Sequence, residues 1–240
     1  CSSDLIAFLA FLSWFGLKAK MPESQVSIRK QPLSHILYDF KQVYKNKRFL
    51  GMTLALPMVS MPLMLWIALS PVMLVEELGF SSMQYGLAQF PVLGGLILGN
   101  IVLIKIIDKL ALGQSVLIGL PIMLLGSLVL VAGVIWQDYL IWCLIAGMTL
   151  LSFGEGISFS VLYRFALMSS EVSKGTVAAA VSMLLMFSFF FIIELVRVLY
   201  EQFHLIGYSV SCLVLIALWF TFPRAILKQV LQERKQSGVF

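Results

Sequence analysis

The chain has 240 residues, of which 60% are hydrophobic and only 12% are charged. Soluble domains are usually about 45–50% apolar and about 25% charged, so this composition excludes a soluble globular domain, a disordered chain and a small secreted scaffold. The net charge of +5 would suggest nucleic acid as a partner of a soluble protein, but the positions of the charges explain it differently.

The first apolar run, 5–17, is too short to cross a membrane. A helix over these residues reaches about 20 Å, against about 30 Å for the hydrocarbon core of a bilayer. A signal peptide would need basic residues in front of the run, but Asp4 stands there. We therefore expect 1–17 to be the end of a truncated transmembrane helix that begins upstream.

The longest connection, 18–48, separates this run from the next. Its first part is polar, and 33–44 places apolar residues at the i, i+3, i+4, i+7 spacing of a helix with one apolar face. These residues are Leu33, Ile36, Leu37, Phe40, Val43 and Tyr44. Basic residues flank the face, which predicts a cytoplasmic central loop with an amphipathic helix on the inner membrane surface.

Six further apolar runs are long enough to span a bilayer. They are 49–75, 85–104, 116–135, 139–162, 176–199 and 205–222. They lack the period-2 alternation of barrel strands, so helices are predicted. We expect an all-α membrane protein with a six-helix bundle over 49–222 and a cytoplasmic tail over 223–240.

The basic residues gather on one side of the predicted membrane protein. If 18–48 is taken as inside and the runs alternate from there, 16 of the 17 Lys and Arg residues lie inside, and Arg197 falls within a run. The outside loops carry acidic residues only, namely Glu76, Glu77, Asp138 and Glu201. This is the positive-inside pattern of a multi-pass protein in a bacterial-type inner membrane, and it accounts for the basic charge without nucleic acid.

Neither an enzyme nor a metal site is predicted. The sequence has no H-E-x-x-H or G-x-S-x-G motif and no cluster of His, Cys and Asp residues. By the side assignment, His35 and His204 lie on opposite sides of the membrane. No metal and no cofactor are expected.

Residues that interrupt the apolar helices are the first candidates for function. Pro57, Pro62 and Pro71 lie in one run, where proline removes hydrogen bonds and bends the axis. Transporters often build sites at broken helices, although prolines are also generally common in membrane helices. Gly95 and Gly99 form a G-x-x-x-G pair, which predicts close packing with another helix.

Charged residues within the runs are the second group of candidates. Glu155, between Gly154 and Gly156, is costly to ionise in the membrane, so it is either a site that binds and releases a proton or a hydrogen-bonded structural acid. Glu194 and Arg197 are three residues apart and share a helix face. Their position near the outer interface favours a structural ion pair over a proton or polar site.

Several stretches carry a family resemblance. They are Lys20–Glu23 (KMPE), Val59–Pro71 (VSMPLMLWIALSP), Ser81–Gly86 (SSMQYG) and Ser173–Ala180 (SKGTVAAA). Through them nearly the whole chain resembles the carboxyl-terminal half of a twelve-helix major facilitator superfamily transporter. Within that superfamily it is similar to the MdfA (Cmr) type of multidrug/proton antiporter.

The resemblance implies export of lipophilic drugs in exchange for protons, by two halves that rock around a large apolar cavity. The proton gradient would be the energy source. The partners would be lipophilic small molecules, protons, the lipid bilayer and the missing amino-terminal half, where the family has its main coupling carboxylates. In the family the seventh helix lines the drug pocket, so the PLMLWI stretch implies drug contacts for Leu63, Met64 and Ile67.

Two alternatives stay open. One is a facilitator-type transporter of another small solute, such as a sugar or an organic anion, which usually has more polar or basic residues at the midplane. The other is a free-standing membrane protein without transport activity, either an enzyme or an assembly factor.

Overall fold

The computed structural model describes four stretches of the chain, residues 2–20, 33–110, 113–170 and 172–221. The chain divides into two compact units, Cys1–His35 and Ile36–Phe240. Most of the predicted central loop and all of the predicted tail, 223–240, lie outside the described residues. Every regular element within the four stretches is a helix, which confirms the all-α class.

The first unit contains helix α1, Ser2–Lys20. The helix extends past the apolar run that predicted it, because polar residues at both ends also take helical conformation. The rings of Phe11, Trp14 and Phe15 contact one another, and the Lys18 ammonium group lies 5.2 Å from the centre of the Trp14 ring. An aromatic residue followed by Lys is typical of a helix end at a membrane interface.

The second unit contains most of α2, Leu33–Lys45, which covers the stretch predicted to be amphipathic. Within the described residues five long helices follow, α3 Lys47–Ser70, α4 Ser82–Ile106, α5 Gln114–Ile135, α6 Leu140–Leu167 and α7 Lys174–Thr221. Each is long and apolar enough to cross a membrane. Six such helices were predicted, and five are present in the described part of the chain.

The difference lies in α7, which is too long to cross a bilayer once. Its 48 residues reach about 72 Å at the helical rise, more than twice the hydrocarbon thickness. His204 has non-helical backbone angles, φ 49° and ψ −138°, and Gly207 lies against the carbonyl group of Leu199. The chain folds back at His204, so the two runs predicted here are joined by a break in one helix rather than by a separate loop.

The three prolines predicted to bend a helix lie along α3 and its extension. Pro57 and Pro62 are buried inside α3, and the helix continues through both. At Pro71 the α-helical hydrogen bonds give way to a π-helix, Pro71–Glu77. Proline has no N–H to donate, so the turn that contains it cannot keep a complete set of α-helical bonds.

Close packing joins α6 to its neighbours through glycines. A Cβ atom on Gly95 would lie 2.5 Å from the Thr149 carbonyl oxygen, and one on Gly99 would overlap the Phe153 carbonyl oxygen. Gly119 of α5 faces Gly154 of α6 in the same way. The structure thus places both predicted packing glycines of α4 directly against the backbone of α6, which lies between α4 and α5.

Two contacts show which connections share an end of the bundle. The Asn46 side-chain amide donates to the Ser169 carbonyl oxygen at 2.9 Å, so the α2–α3 junction lies beside the α6–α7 turn. At the other end, Nδ1 of His204 lies 3.1 Å from Oε1 of Glu77, so the break in α7 lies beside the end of the π-helix. This grouping of connections is the one that the alternating side assignment predicts.

Candidate functional site

The three residues predicted to contact drug lie within about one turn of α3. Leu63 is buried, Met64 is half-buried, and Ile67 is 54% exposed. Leu63 and Ile67 are four residues apart and share a face of α3, so exposure on this face rises from Leu63 to Ile67. Ile67 is therefore the member of the group that is most accessible to another molecule.

A separate cavity of about 640 Å³ lies between α3 and the two arms of α7. Leu54, Pro57 and Met58 line it from α3, while residues such as Leu195 and Val210 line it from before and after the break at His204. The lining is almost entirely apolar, which suits a lipophilic molecule. Of the predicted site residues, the cavity includes only Pro57.

Glu155 is buried in α6, with 6% of its surface exposed. The glycines on either side of it make the closest contacts of this segment, since Gly154 packs against α5 and Gly156 against α4. Within the described part of the chain no cation pairs with the carboxylate. An ionised carboxylate in such a place is costly, so this geometry favours a neutral, protonated group.

Glu155 shares one face of α6 with Ser152 and Met148, which lie three and seven residues earlier. The Tyr208 hydroxyl of α7 donates to the Met148 sulfur at 3.1 Å, and the Ser152 hydroxyl is buried without a hydrogen-bond partner in the described residues. Glu155 thus continues a sparse line of polar groups through the middle of the bundle.

Glu194 and Arg197 form the ion pair that their spacing allows, with N–O distances of 2.6 and 3.0 Å. Arg197 also contacts Glu201 one turn later, a partner that the sequence reasoning missed. All three side chains are about half exposed. Two carboxylates share one guanidinium near the end of the first arm of α7, an arrangement that fits a structural ion cluster.

A chain of hydrogen bonds joins α3 to α4, and it was not predicted. The Trp66 indole donates to Oε1 of Gln89 at 2.7 Å, and Nε2 of Gln89 donates to the Ser70 hydroxyl at 3.3 Å. The Ser70 and Tyr85 hydroxyl oxygens are also 3.3 Å apart. Isolated polar residues one helical turn apart inside an apolar run, such as Tyr85 and Gln89, are the signal that could have found it.

No group of three His, Cys, Asp or Glu side chains is arranged to hold a metal ion among the described residues. The described residues instead provide a buried acid, an apolar cavity and side chains that bridge apolar helices. Together with five helices able to cross a membrane, they define a polytopic helical membrane protein.

Comparison with known proteins narrows this class. The chain is 70% identical, over 95% of its length, to the chloramphenicol resistance protein CraA of Acinetobacter baumannii. It is 37% identical over 82% of its length to the multidrug transporter MdfA of Yersinia pestis bv. Antiqua, and 38% identical over 77% to MdfA of Escherichia coli O6:H1. It covers 55%, 48% and 45% of these relatives, respectively. No family model matches the chain.

The predicted resemblance is thereby confirmed: the chain is similar to the MdfA type of multidrug transporter. The chain spans about half the length of the curated relatives it matches.

Proposed function

We propose that this chain is the carboxyl-terminal half of a major facilitator transporter that exports lipophilic drugs in exchange for protons. The observation that carries the proposal is the 70% identity to a chloramphenicol resistance protein along nearly the whole chain. The relatives are described as a resistance protein and as transporters rather than as enzymes, and a transport function is the one that agrees with both descriptions.

In this proposal the two arms of α7 cross the membrane separately, because neither arm alone exceeds what a tilted helix can span. With α3 to α6 this makes six spans, and α1 is the end of the preceding one. The missing amino-terminal half is the partner against which the bundle rocks. The central loop 18–48 and the tail 223–240 lie in the cytoplasm of a bacterial cell, as the positive-inside rule requires.

Drug contacts are assigned to Leu63, Met64 and Ile67. The exposed Ile67 supports this assignment, because it offers apolar surface beside the half-buried and adaptable Met64. The apolar cavity between α3 and α7 is bordered by another side of α3, the side that carries Pro57. Transport by rocking halves would change the exposure of one side of α3 relative to the other.

Glu155 is proposed as the proton-binding group of this half. Its burial, and its place on the inner line of polar groups, support a carboxyl that is neutral when closed in and releases its proton when its surroundings open to water. The proton gradient then supplies the energy, and no cofactor is needed. Glu194, neutralised by Arg197 at an exposed position, has the properties of a structural residue instead.

Transport is tested with the full-length protein encoded by the gene, in everted membrane vesicles with an imposed pH gradient. We expect uptake of chloramphenicol that stops when nigericin collapses the gradient. Uptake that does not depend on the gradient would contradict antiport. No uptake of any lipophilic drug would favour another small solute or a membrane protein without transport activity.

The assigned drug contact is tested with Ile67→Ala, which should weaken export of chloramphenicol because it removes apolar surface at the proposed site. Ile97→Ala is the matched control, since Ile97 on α4 is similarly exposed, at 59%, but lies outside the site. Equal export by the two variants would contradict the assignment.

The proposed proton site is tested with Glu155→Gln, which keeps the shape but cannot ionise. We expect loss of pH-driven uptake with drug binding retained, while the control Glu76→Gln at the end of the π-helix leaves uptake unchanged. Uptake by Glu155→Gln at the unmodified rate would show that the acid is structural.

A further inference from the structure

Trp66, Ser70, Tyr85 and Gln89, called here the polar bridge, connect α3 and α4 inside an apolar region. Trp66 and Ser70 are completely buried, whereas Tyr85 and Gln89 are half-buried. Polar groups are costly in a membrane unless they are satisfied. Each polar group of the bridge therefore needs a hydrogen-bond partner, and a group without one needs a reason for its position.

The orientation of the Gln89 amide follows from the chemistry of its neighbour. An indole N–H can only donate, so the 2.7 Å contact with Trp66 fixes the amide oxygen on that side. The amide nitrogen is then on the side of Ser70, to which it donates one of its two hydrogens. Because Trp66 is fully buried, the amide is held rather than free to turn.

The second amide N–H of Gln89 has no acceptor among the described residues, and the side chain is half-buried rather than enclosed. An oriented donor with a free hydrogen at the edge of an apolar region is what a site needs to recognise one polar group on an otherwise apolar molecule. An acceptor oxygen of an uncharged ligand fits this donor.

The bridge adjoins the residues assigned to drug contact. Ser70 lies three residues after Ile67 and seven after Leu63, so the three share one face of α3. Trp66 lies on the neighbouring face, toward α4, as its bond to Gln89 requires. A molecule packed on the exposed Ile67 would meet the polar bridge about one turn farther along the helix.

We propose that Gln89, oriented by Trp66, is a specificity-determining residue that donates a hydrogen bond to an uncharged acceptor oxygen of the substrate. The substrate class is then a compact apolar molecule with a carbonyl, nitro or hydroxyl oxygen. The inference rests on the proposed transport function and on the drug contacts assigned to α3. It gives a reason for an oriented amide in an apolar region.

The test measures equilibrium binding to the purified full-length protein with two probes. Chloramphenicol carries nitro and amide oxygens, whereas tetraphenylphosphonium has no oxygen at all. For Gln89→Met we expect about a five- to tenfold weaker chloramphenicol affinity, the size of one neutral hydrogen bond, and an unchanged affinity for tetraphenylphosphonium. Gln89→Asn, which keeps an amide but is too short to reach Trp66, should show the same selective loss.

Asn100→Leu is the matched control, because it removes another half-buried amide from α4, one whose acceptor among the described residues is the Leu96 carbonyl of its own helix. It should leave both affinities unchanged. Equal weakening of both probes by Gln89→Met, or no change in either, would overturn the proposal and leave the bridge a structural link. Failure of the unmodified protein to bind and export either probe would instead contradict the proposed transport function.

Discussion

Helices α3 and α4 are consecutive and equally apolar, yet they are buried to very different extents. Over the most apolar 18 residues of each, 61% of α3 is buried inside the structure, against 28% of α4. In lipid, apolar side chains gain nothing by leaving the hydrocarbon for a protein core. Apolarity therefore places both helices in the membrane, and shape and specific contacts decide which one becomes the centre.

The contrast is strongest in the side chains that the two helices bury. α3 buries large residues on nearly all sides, including Phe49, Leu65 and Trp66. α4 buries little more than one narrow stripe, in which Gly95 and Gly99 allow its backbone to reach α6. Helix α3 is held by large side chains that fill the core, and α4 is held by glycines that let its backbone approach α6.

The largest expected effect comes from Leu→Ala changes in the two helices. Leu65→Ala in α3 removes a completely buried side chain and should cost about 2–5 kcal/mol of folding free energy. Leu98→Ala in α4 changes a side chain that is 57% exposed and should cost less than about 0.5 kcal/mol. Unfolding of the full-length protein in mixed micelles measures both, and equal losses would contradict the contrast.

Neighbouring glycines of α4 should give the next largest effect. Gly99→Ala places a methyl group on the Phe153 carbonyl of α6 and should cost about 1–3 kcal/mol through overpacking. Gly94→Ala meets no atom within 4 Å, so the better helix propensity of Ala should leave stability unchanged or raised by up to about 1 kcal/mol. The difference in unfolding midpoint between the two variants is the measurement, and its absence would refute packing by the glycine stripe.

The smallest expected effect is the difference in stability lost when the N-terminal cap of α3 or that of α4 is removed. Ser81 caps α4 within its own turn, through a reciprocal pair of bonds with Gln84, so Ser81→Ala should cost about 1 kcal/mol. Asn46 caps α3 and also donates to the Ser169 carbonyl at 2.9 Å. Asn46→Ala should cost about 1 kcal/mol more, because it loses a second, long-range bond. A smaller loss for Asn46→Ala than for Ser81→Ala in the same unfolding assay would show that the long-range bond adds nothing.

Much of the fold could be predicted because lipid imposes simple rules. The first predicted span, 49–75, and the helical stretch Lys47–Glu77 differ by two residues at each end, since backbone groups in hydrocarbon have to bond within their own helix. The break at His204 lies where a loop was predicted. Its form was not predictable, because it depends on the contact of His204 with Glu77 and on the close approach of Gly207 to Leu199.

The candidate site was harder to predict. Glu155 stood out in the sequence because a lone acid in an apolar run is conspicuous whatever surrounds it. The cavity between α3 and the arms of α7 was missed, since its walls are ordinary apolar residues that meet only when the chain folds back. The polar bridge was missed for the same reason, because Trp66 and Gln89 are 23 residues apart.

The sequence by itself determined that this protein lies in a membrane, which stretches are helical, where the charges gather and which transporter type it resembles. These properties depend on composition, local hydrogen bonding and motif, all of which can be read along the chain. Only the tertiary structure decided that α3 is central and α4 peripheral, and that Gln89 is held by Trp66. Those outcomes depend on shape and on the direction of individual donors, and equally apolar helices do not reveal them.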